Sequence, residues 1–564
     1  MRVIDAEYLK RLLVTNGLLT QDEFAAAQSE ATYQSRSLED VLTERGLIKD
    51  EELGRLVAED NGFHFADVRR ERIDDEIFFQ IPEDVARTQY MLALSKEANG
   101  VRVALTEPDN VELLGLLEKR LSAPVIPYYA TQRGICQVLI RYKADLKEIF
   151  DRLAKSMEDQ DLQNDSAQNP IVQLVNMLLE YGYYKKASDI HLEPSRARAA
   201  VRFRIDGILY DMVDMELSVY EFIVSRIKIL ANLRTDEHQA AQDGKFRFAL
   251  PQGEQFDIRV SVVPTNNGEN IVMRLLSVQY RFVDFRDLGL SEHASQKVRR
   301  AVDNPYGMIL VTGPTGSGKT TSLYTMLQLL NKREVHIATI EDPVEYEIAG
   351  LTQIQVNTRT DLTFAKGLRA LVRQDPDVIM VGEIRDEETA GIAINSALTG
   401  HLVLSTLHTN DAATTLPRLI DMHIEPFLIA STIHLIIAQR LVRKICVSCI
   451  ESYKPDSNAG VFATDPHLAE LVAHHAGVSF DNVRLYRGAG CKVCGQTGYT
   501  GRVGIFELLE MSEPIRQLIM HHATSEEIEQ TAIGEGMTTM LEDGIQKTLS
   551  GISTIEEVLR VARL

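Results

Sequence analysis

Apolar positions along the chain fall into blocks of different period, and the changes of period mark out its elements. Residues 1–60 read as paired helices. Leu13-Val14-Thr15-Asn16-Gly17-Leu18-Leu19 returns as Leu42-Thr43-Glu44-Arg45-Gly46-Leu47-Ile48, and Asp22-Glu23-Phe24 is echoed by Glu51-Glu52-Leu53. Each copy predicts helix, glycine C-cap, helix. Over residues 61–150, short apolar runs such as Val101-Arg102-Val103-Ala104-Leu105 alternate with helical stretches and predict a small α+β unit. The pattern then fades over residues 151–169, where Glu158, Asp159, Asp161 and Asp165 leave almost no apolar period, the composition of a linker.

Beyond the linker the period becomes two. Val201-Arg202-Phe203-Arg204-Ile205-Asp206-Gly207 and Phe256-Asp257-Ile258-Arg259-Val260-Ser261-Val262 alternate as half-buried strands, which predicts a mixed α/β domain over residues 170–283. From residue 284 to 564 the strands become continuous apolar runs, at Met308 to Val311, Val335 to Ile340, Val378 to Val381 and Leu402 to Leu404, separated by helical stretches. That is the signature of a parallel sheet covered on both faces. The longest apolar run, Phe427 to Val442, is broken by His434, Gln439 and Arg440 and falls short of a membrane span.

At 564 residues the chain is too long for a single core, and a balance of 45% hydrophobic to 25% charged residues is that of a folded protein. The net charge of −21 makes nucleic acid a poor partner, because the long-range field repels phosphate polymers. Charges in Met1 to Lys10 occupy the place of a signal peptide's apolar core, so a cytoplasmic protein without direct membrane insertion is expected.

Candidate chemistry concentrates in the last block. The strand Met308 to Val311 runs into Gly313-Pro314-Thr315-Gly316-Ser317-Gly318-Lys319-Thr320-Thr321, followed by an apolar helix: a P-loop in its required strand-to-helix setting. Backbone N–H groups of such a loop face phosphate oxygens, Lys319 reaches the β and γ phosphates of ATP, and Thr320 is placed to ligate Mg²⁺. An acidic residue is then needed at the end of a neighbouring strand. Asp377-Val378-Ile379-Met380-Val381-Gly382-Glu383 supplies Glu383, with Gly382 where the commonest pattern has Asp. A second acidic cluster, Glu341-Asp342-Pro343-Val344-Glu345, offers Glu341 as a water-positioning base. The segment Thr399 to Thr409 places His401 and His408 at the two ends of one strand, where an imidazole can sense a γ-phosphate or a neighbouring subunit.

Cysteine usage adds a metal. Cys446 and Cys449, and Cys491 and Cys494, form pairs with two-residue gaps that let both thiolates of a pair reach one tetrahedral Zn²⁺, within an insert at about residues 440–500. Gly495, Gly498, Gly501 and Gly504 follow as candidate tight turns. The P-loop is expected on a separate sheet edge, independent of this metal loop.

In that order, Gly313 to Thr321, Glu341 to Glu345, Val381 to Asp386 and Thr399 to His408 resemble the Walker A, Asp box, Walker B and His box of the type II/type IV secretion ATPases. The resemblance extends upstream to Ala187-Ser188-Asp189-Ile190-His191-Leu192-Glu193-Pro194 and Gln242-Asp243-Gly244 and downstream to Gly551 through Val558. It implies a RecA-like core preceded by a PAS-like domain, a homohexamer, and arginines donated to the nucleotide site. Arg259 matches one of these arginines; Lys245 stands where the other commonly lies, leaving Lys245 or Arg247 as candidates. The cysteine insert points to the assembly motors of GspE and PilB type. That implies ATP hydrolysis powering a type IV pilus or a type II pseudopilus, peripheral to the inner membrane through a platform protein and other machinery proteins. The repeat in residues 1–60 resembles the module through which some assembly motors bind cyclic di-GMP. Tyr8-Leu9-Lys10 and Ser37-Leu38-Glu39 replace its Arg-Leu-Gly openings, so binding of that ligand is not expected. A DNA-translocating ATPase and a nucleotide-gated scaffold with little turnover are the competing readings.

Overall fold

The structure, a computed structural model, describes residues 6–562 except 35–37, 45–46, 72, 74, 79, 82–84, 87–88, 98, 122, 140–149, 151–168, 251–254, 277–284, 458 and 492–493. It divides into two compact units, Met1–Arg281 and Phe282–Leu564. The expected linker lies outside the described residues except for Asn169, whose side chain accepts from Ile171 N and caps the helix Pro170–Tyr184.

In the first unit the repeat forms helices Ala6–Val14, Gln21–Gln34, Leu38–Glu44 and Asp50–Asp60, which close on Leu9, Leu13, Phe24, Leu42 and Val57. Gly17 takes the expected left-handed turn (φ 71°); its counterpart Gly46 lies outside the described residues. A four-stranded sheet follows, built from β1 (His64–Phe65), β2 (Met91–Glu97), β3 (Gly100–Leu105) and β4 (Val125–Tyr129) in the order β1-β4-β3-β2.

The period-two segments become an antiparallel six-stranded sheet: β5 (Ala187–Pro194), β6 (Arg198–Ile205), β7 (Ile208–Glu216), β8 (Gln242–Ala249), β9 (Gln255–Thr265) and β10 (Gly268–Leu276), in the order β7-β6-β5-β10-β9-β8. Alternation sends Ile190, Val201, Ile258 and Met273 into one core with the helices Pro170–Tyr184 and Leu217–Leu230. The opposite face carries one row in register, Lys245, Arg259, Arg274, Asp189 and Arg204.

The second unit holds β11 (Gly307–Thr312), β12 (Ile337–Glu341), β13 (Thr352–Gln355), β14 (Val378–Val381), β15 (Leu402–Leu407), β16 (Ile433–Ile445), β17 (Ile450–Tyr453), β18 (Leu485–Gly488) and β19 (Tyr499–Glu510). Its main sheet has the order β13-β12-β14-β15-β11-β16-β19, parallel except for β19. All residues of β11, β14 and β15 are buried, as continuous apolar runs covered on both faces require. The longest apolar run is not one element: it divides into a helix, Pro426–Thr432, and the thirteen-residue β16. No helix among the described residues is long and apolar enough to cross a membrane.

Two sequence expectations need correction here. The P-loop strand β11 is interior to the sheet, and its neighbour β16 runs directly into Cys446, so the P-loop and the metal loop are not on separate edges. Gly495, Gly498 and Gly501 do adopt positive φ, but Gly504 does not. It lies within β19, where a Cβ would come 2.3 Å from the Phe506 ring.

Candidate nucleotide site and four-cysteine cluster

Parallel strands carry their chemistry at their carboxyl ends. The P-loop leaves the end of β11 and enters the helix Lys319–Leu330, with Gly318 (φ 90°) at its N-cap. Gly313 (φ 140°) is required on two counts, since a Cβ there would also lie 2.4 Å from the Gln439 carbonyl oxygen. Lys319 Nζ donates to the carbonyls of Gly313 at 2.7 Å and Pro314 at 3.2 Å, folded onto the loop it serves. Burial lowers its pKa, opposed by the nearby Glu383 carboxylate. Thr320, one residue further into the helix, is exposed.

β14 delivers Glu383 and β15 delivers His408 beside it. The ends of these strands are clamped by Ser405 Oγ donating to Val381 O and Thr406 Oγ1 to Gly382 O, each at 2.8 Å. Glu383 then pairs with Arg385 on one oxygen and meets His408 Nε2 at 3.2 Å on the other. Gly382, where the commonest pattern has aspartate, sits tightly against β12: a Cβ would lie 3.3 Å from both Glu341 Cα and Ile340 O. Walker A, Walker B and His box are thus brought together around Lys319, Glu383 and His408.

Of the other two candidates, one lies away from this end of the sheet and the other is buried beside Gly382. His401 stands at the opposite end of β15, about 20 Å of strand from His408, with Nδ1 2.9 Å from Ser396 O. Glu341 is the last residue of β12 and is only 3% exposed. Its oxygens take hydrogen bonds from Tyr324 Oη, Thr339 Oγ1 (2.6 Å) and Gln353 Nε2 (3.2 Å). Burial raises its pKa and these donors act against the rise. A carboxylate so occupied braces the P-loop helix against β12 instead of facing water. Strand pattern alone placed Glu341 just past the strand end, where it would have been open.

Arg259 and its neighbours belong to the first unit. Arg247 forms a two-pronged pair with Asp257 (2.7 and 3.2 Å), whereas Lys245 lies directly opposite Arg259 across the β8·β9 ladder. Of the two candidates, Lys245 shares its row with Arg259.

The cysteines of the insert converge. Cys446 follows directly on the last residue of β16, β19 begins at Tyr499, and the Sγ atoms of Cys446, Cys449, Cys491 and Cys494 all lie within 4.8 Å of one another. Separations of 3.8 Å (Cys446–Cys491), 3.7 Å (Cys491–Cys494) and 3.9 Å (Cys449–Cys494) match the edges, about 3.8 Å, of a tetrahedron with metal–sulfur bonds of about 2.3 Å. Burial opposes ionisation of Cys494, yet the N–H groups of Cys491 and Gly498, each 3.2 Å from its sulfur, bring its pKa down to about 7. The donor set fits one soft tetrahedral cation. The base of the insert is tied to the C-terminal segment: Glu557 pairs with Arg443 (2.6 Å) and Arg560 (2.8 Å), which outweigh burial and hold its carboxyl at about 2.

A family model described as type II/IV secretion system protein matches residues 164–560. The chain belongs to the type II/IV secretion system protein family. It is an ATP-hydrolysing P-loop NTPase of this family. Among curated relatives, the type IV pilus assembly ATPase PilB of Myxococcus xanthus is 36% identical over 98% of both chains. The type II secretion system protein E of Dickeya dadantii is 41% identical over 86% of this chain and 97% of its own. The DotB ATPase of Legionella pneumophila shares the fold, with a TM-score of 0.50 and 21% identity over 72% of this chain and 99% of its own. A second model, the MshEN domain, matches residues 61–149. That match falls on the α+β unit after the helical repeat to which the sequence resemblance had pointed.

Four further residues, which no local sequence motif marks, shape the site. Tyr324 and Gln353 hold Glu341; Gln439 contacts the P-loop; Glu507, 4% exposed on β19, accepts from Ala412 N at 2.9 Å in the loop after His408. Burial pushes the Glu507 carboxyl up to about 7 against that hydrogen bond. The folded state therefore binds a proton that the unfolded state has released between about pH 4.5 and 7, and stability falls as pH rises through that window. Glu507→Gln keeps an acceptor for Ala412 and is expected to flatten that part of the slope in denaturant melts. An unaltered slope would assign the dependence to other groups.

Proposed function

We propose that the chain is a homohexameric motor at the cytoplasmic face of the inner membrane. It hydrolyses ATP to ADP and phosphate to power assembly of a type IV pilus or a type II secretion pseudopilus, docking there through a platform protein. The observation that carries this reading is the convergence of Lys319, Glu383 and His408 at the ends of β11, β14 and β15. Near full-length similarity to pilus-assembly and secretion ATPases supports the choice of machine.

In the reaction, Lys319 exchanges the loop carbonyls for β and γ phosphate oxygens, and Thr320 is the residue that would hold Mg²⁺. Glu383, oriented by Arg385 and His408, directs the attacking water; the new P–O bond forms as the bond to the ADP oxygen breaks. Replacing the chain by its Lys319→Ala form in the organism that carries it is expected to abolish surface pili or secretion. Normal filaments and secretion would overturn the motor assignment.

Zn²⁺ is the ion proposed for the four cysteines, with a structural role. Structural zinc contributes folding energy on the order of 10 kcal/mol, so the stretch from about Cys446 to Cys494 is expected to fold with its ion. Cys491→Ser is expected to lose close to one zinc per chain by elemental analysis and to become sensitive to proteolysis in that segment. Wild-type protein that contains no zinc when purified without chelator would rule the site out.

A further inference from the structure

The three polar residues that interrupt the apolar run on β16 each have a defined partner. His434 Nε2 lies 3.0 Å from Tyr306 O, and Arg440 donates to Asn410 Oδ1 at 3.4 Å. Gln439, 2% exposed, turns to the P-loop: Nε2 donates to Ser317 O at 2.8 Å, and Oε1 accepts from Ser322 Oγ at 2.7 Å. A carbonyl can only accept, so the nitrogen of the amide must face Ser317 and the oxygen must face the serine hydroxyl. The side chain has one orientation.

That orientation sets a peptide plane. In a trans peptide the C=O of Ser317 and the N–H of Gly318 point in opposite directions. Drawing the carbonyl toward β16 turns the Gly318 N–H away from it, toward the helix-start N–H groups that face an anion. The Gln439 backbone shapes the other end of the loop, where its carbonyl admits only glycine at Gly313. We propose that Gln439 is a positioning residue for the phosphate-binding loop, fixing the Ser317–Gly318 peptide and with it the affinity of the site for phosphate. The proposal rests on the nucleotide-site reading above.

Two variants of similar volume test it. Gln439→Leu removes the donor, and Gln439→Glu sets a carboxylate oxygen against the Ser317 carbonyl. For the full-length protein, Mg–ADP binding by titration calorimetry is expected to weaken at least about fivefold in both, the loss of one buried hydrogen bond. The KM for ATP should rise with it while kcat at saturation falls less, a split that general loosening of the fold would not produce. Affinity within about fivefold of wild type in either folded variant, or a fall in kcat alone, overturns the proposal. If neither variant folds, Ser322→Ala decides, because it frees the Gln439 oxygen without touching the loop. Binding weakened at least about twofold supports the proposal and unchanged binding overturns it. Wild-type protein that does not bind Mg–ADP is a separate outcome, which removes the nucleotide site itself.

Discussion

Lys319→Ala is expected to abolish ATP turnover while leaving the melting temperature close to that of wild type. Among the described residues the side chain hydrogen-bonds only to two carbonyls of its own loop, Gly313 and Pro314, so its removal costs the fold little. Burial already disfavours its charge. Phosphate oxygens compensate that charge when they arrive, and the ammonium in turn neutralises charge spreading onto the transferred group. Losing a fixed charge from such a site costs at least ~10²-fold in rate. Phosphate release indistinguishable from wild type would place hydrolysis elsewhere.

Glu383→Gln is expected to bind nucleotide normally and to hydrolyse it at least ~10²-fold more slowly. The amide preserves the shape of the residue between Arg385 and His408 but removes the charge that both partners meet. Two features make this the sharper test of the acidic role. Glu341, the other candidate, has its oxygens occupied by Tyr324, Thr339 and Gln353, and Gly382 leaves no second acid on β14. Turnover at the wild-type rate would move the role off β14 altogether.

The engine was legible in the sequence because its signals are local. Continuous apolar runs identify β11, β14 and β15 as buried parallel strands, and chemistry gathers just past such strand ends, where Glu383 and His408 stand. The cysteine pairs were legible for the same reason, since a two-residue gap constrains both sulfurs. What the sequence concealed depends on strand order. Whether His401 reaches the site turns on the direction of one strand, and the burial of Glu341 follows from Tyr324, which approaches from the helix after the P-loop. That one strand, β16, both flanks the P-loop strand and leads into the metal loop appears only once β16 pairs with β11. Gln439 did leave a trace, as a polar residue inside an apolar run, but its partner at Ser317 is more than a hundred positions away. Pairwise contacts at that separation have no period to betray them.

Phosphate release by the purified full-length chain in Mg²⁺ and ATP, with Lys319→Ala and Glu383→Gln prepared alongside, tests the central claim most directly. The expected result is steady turnover by the wild-type protein, lost in both variants, with Mg–ADP binding retained by Glu383→Gln. Wild-type release no greater than that of Lys319→Ala would contradict it.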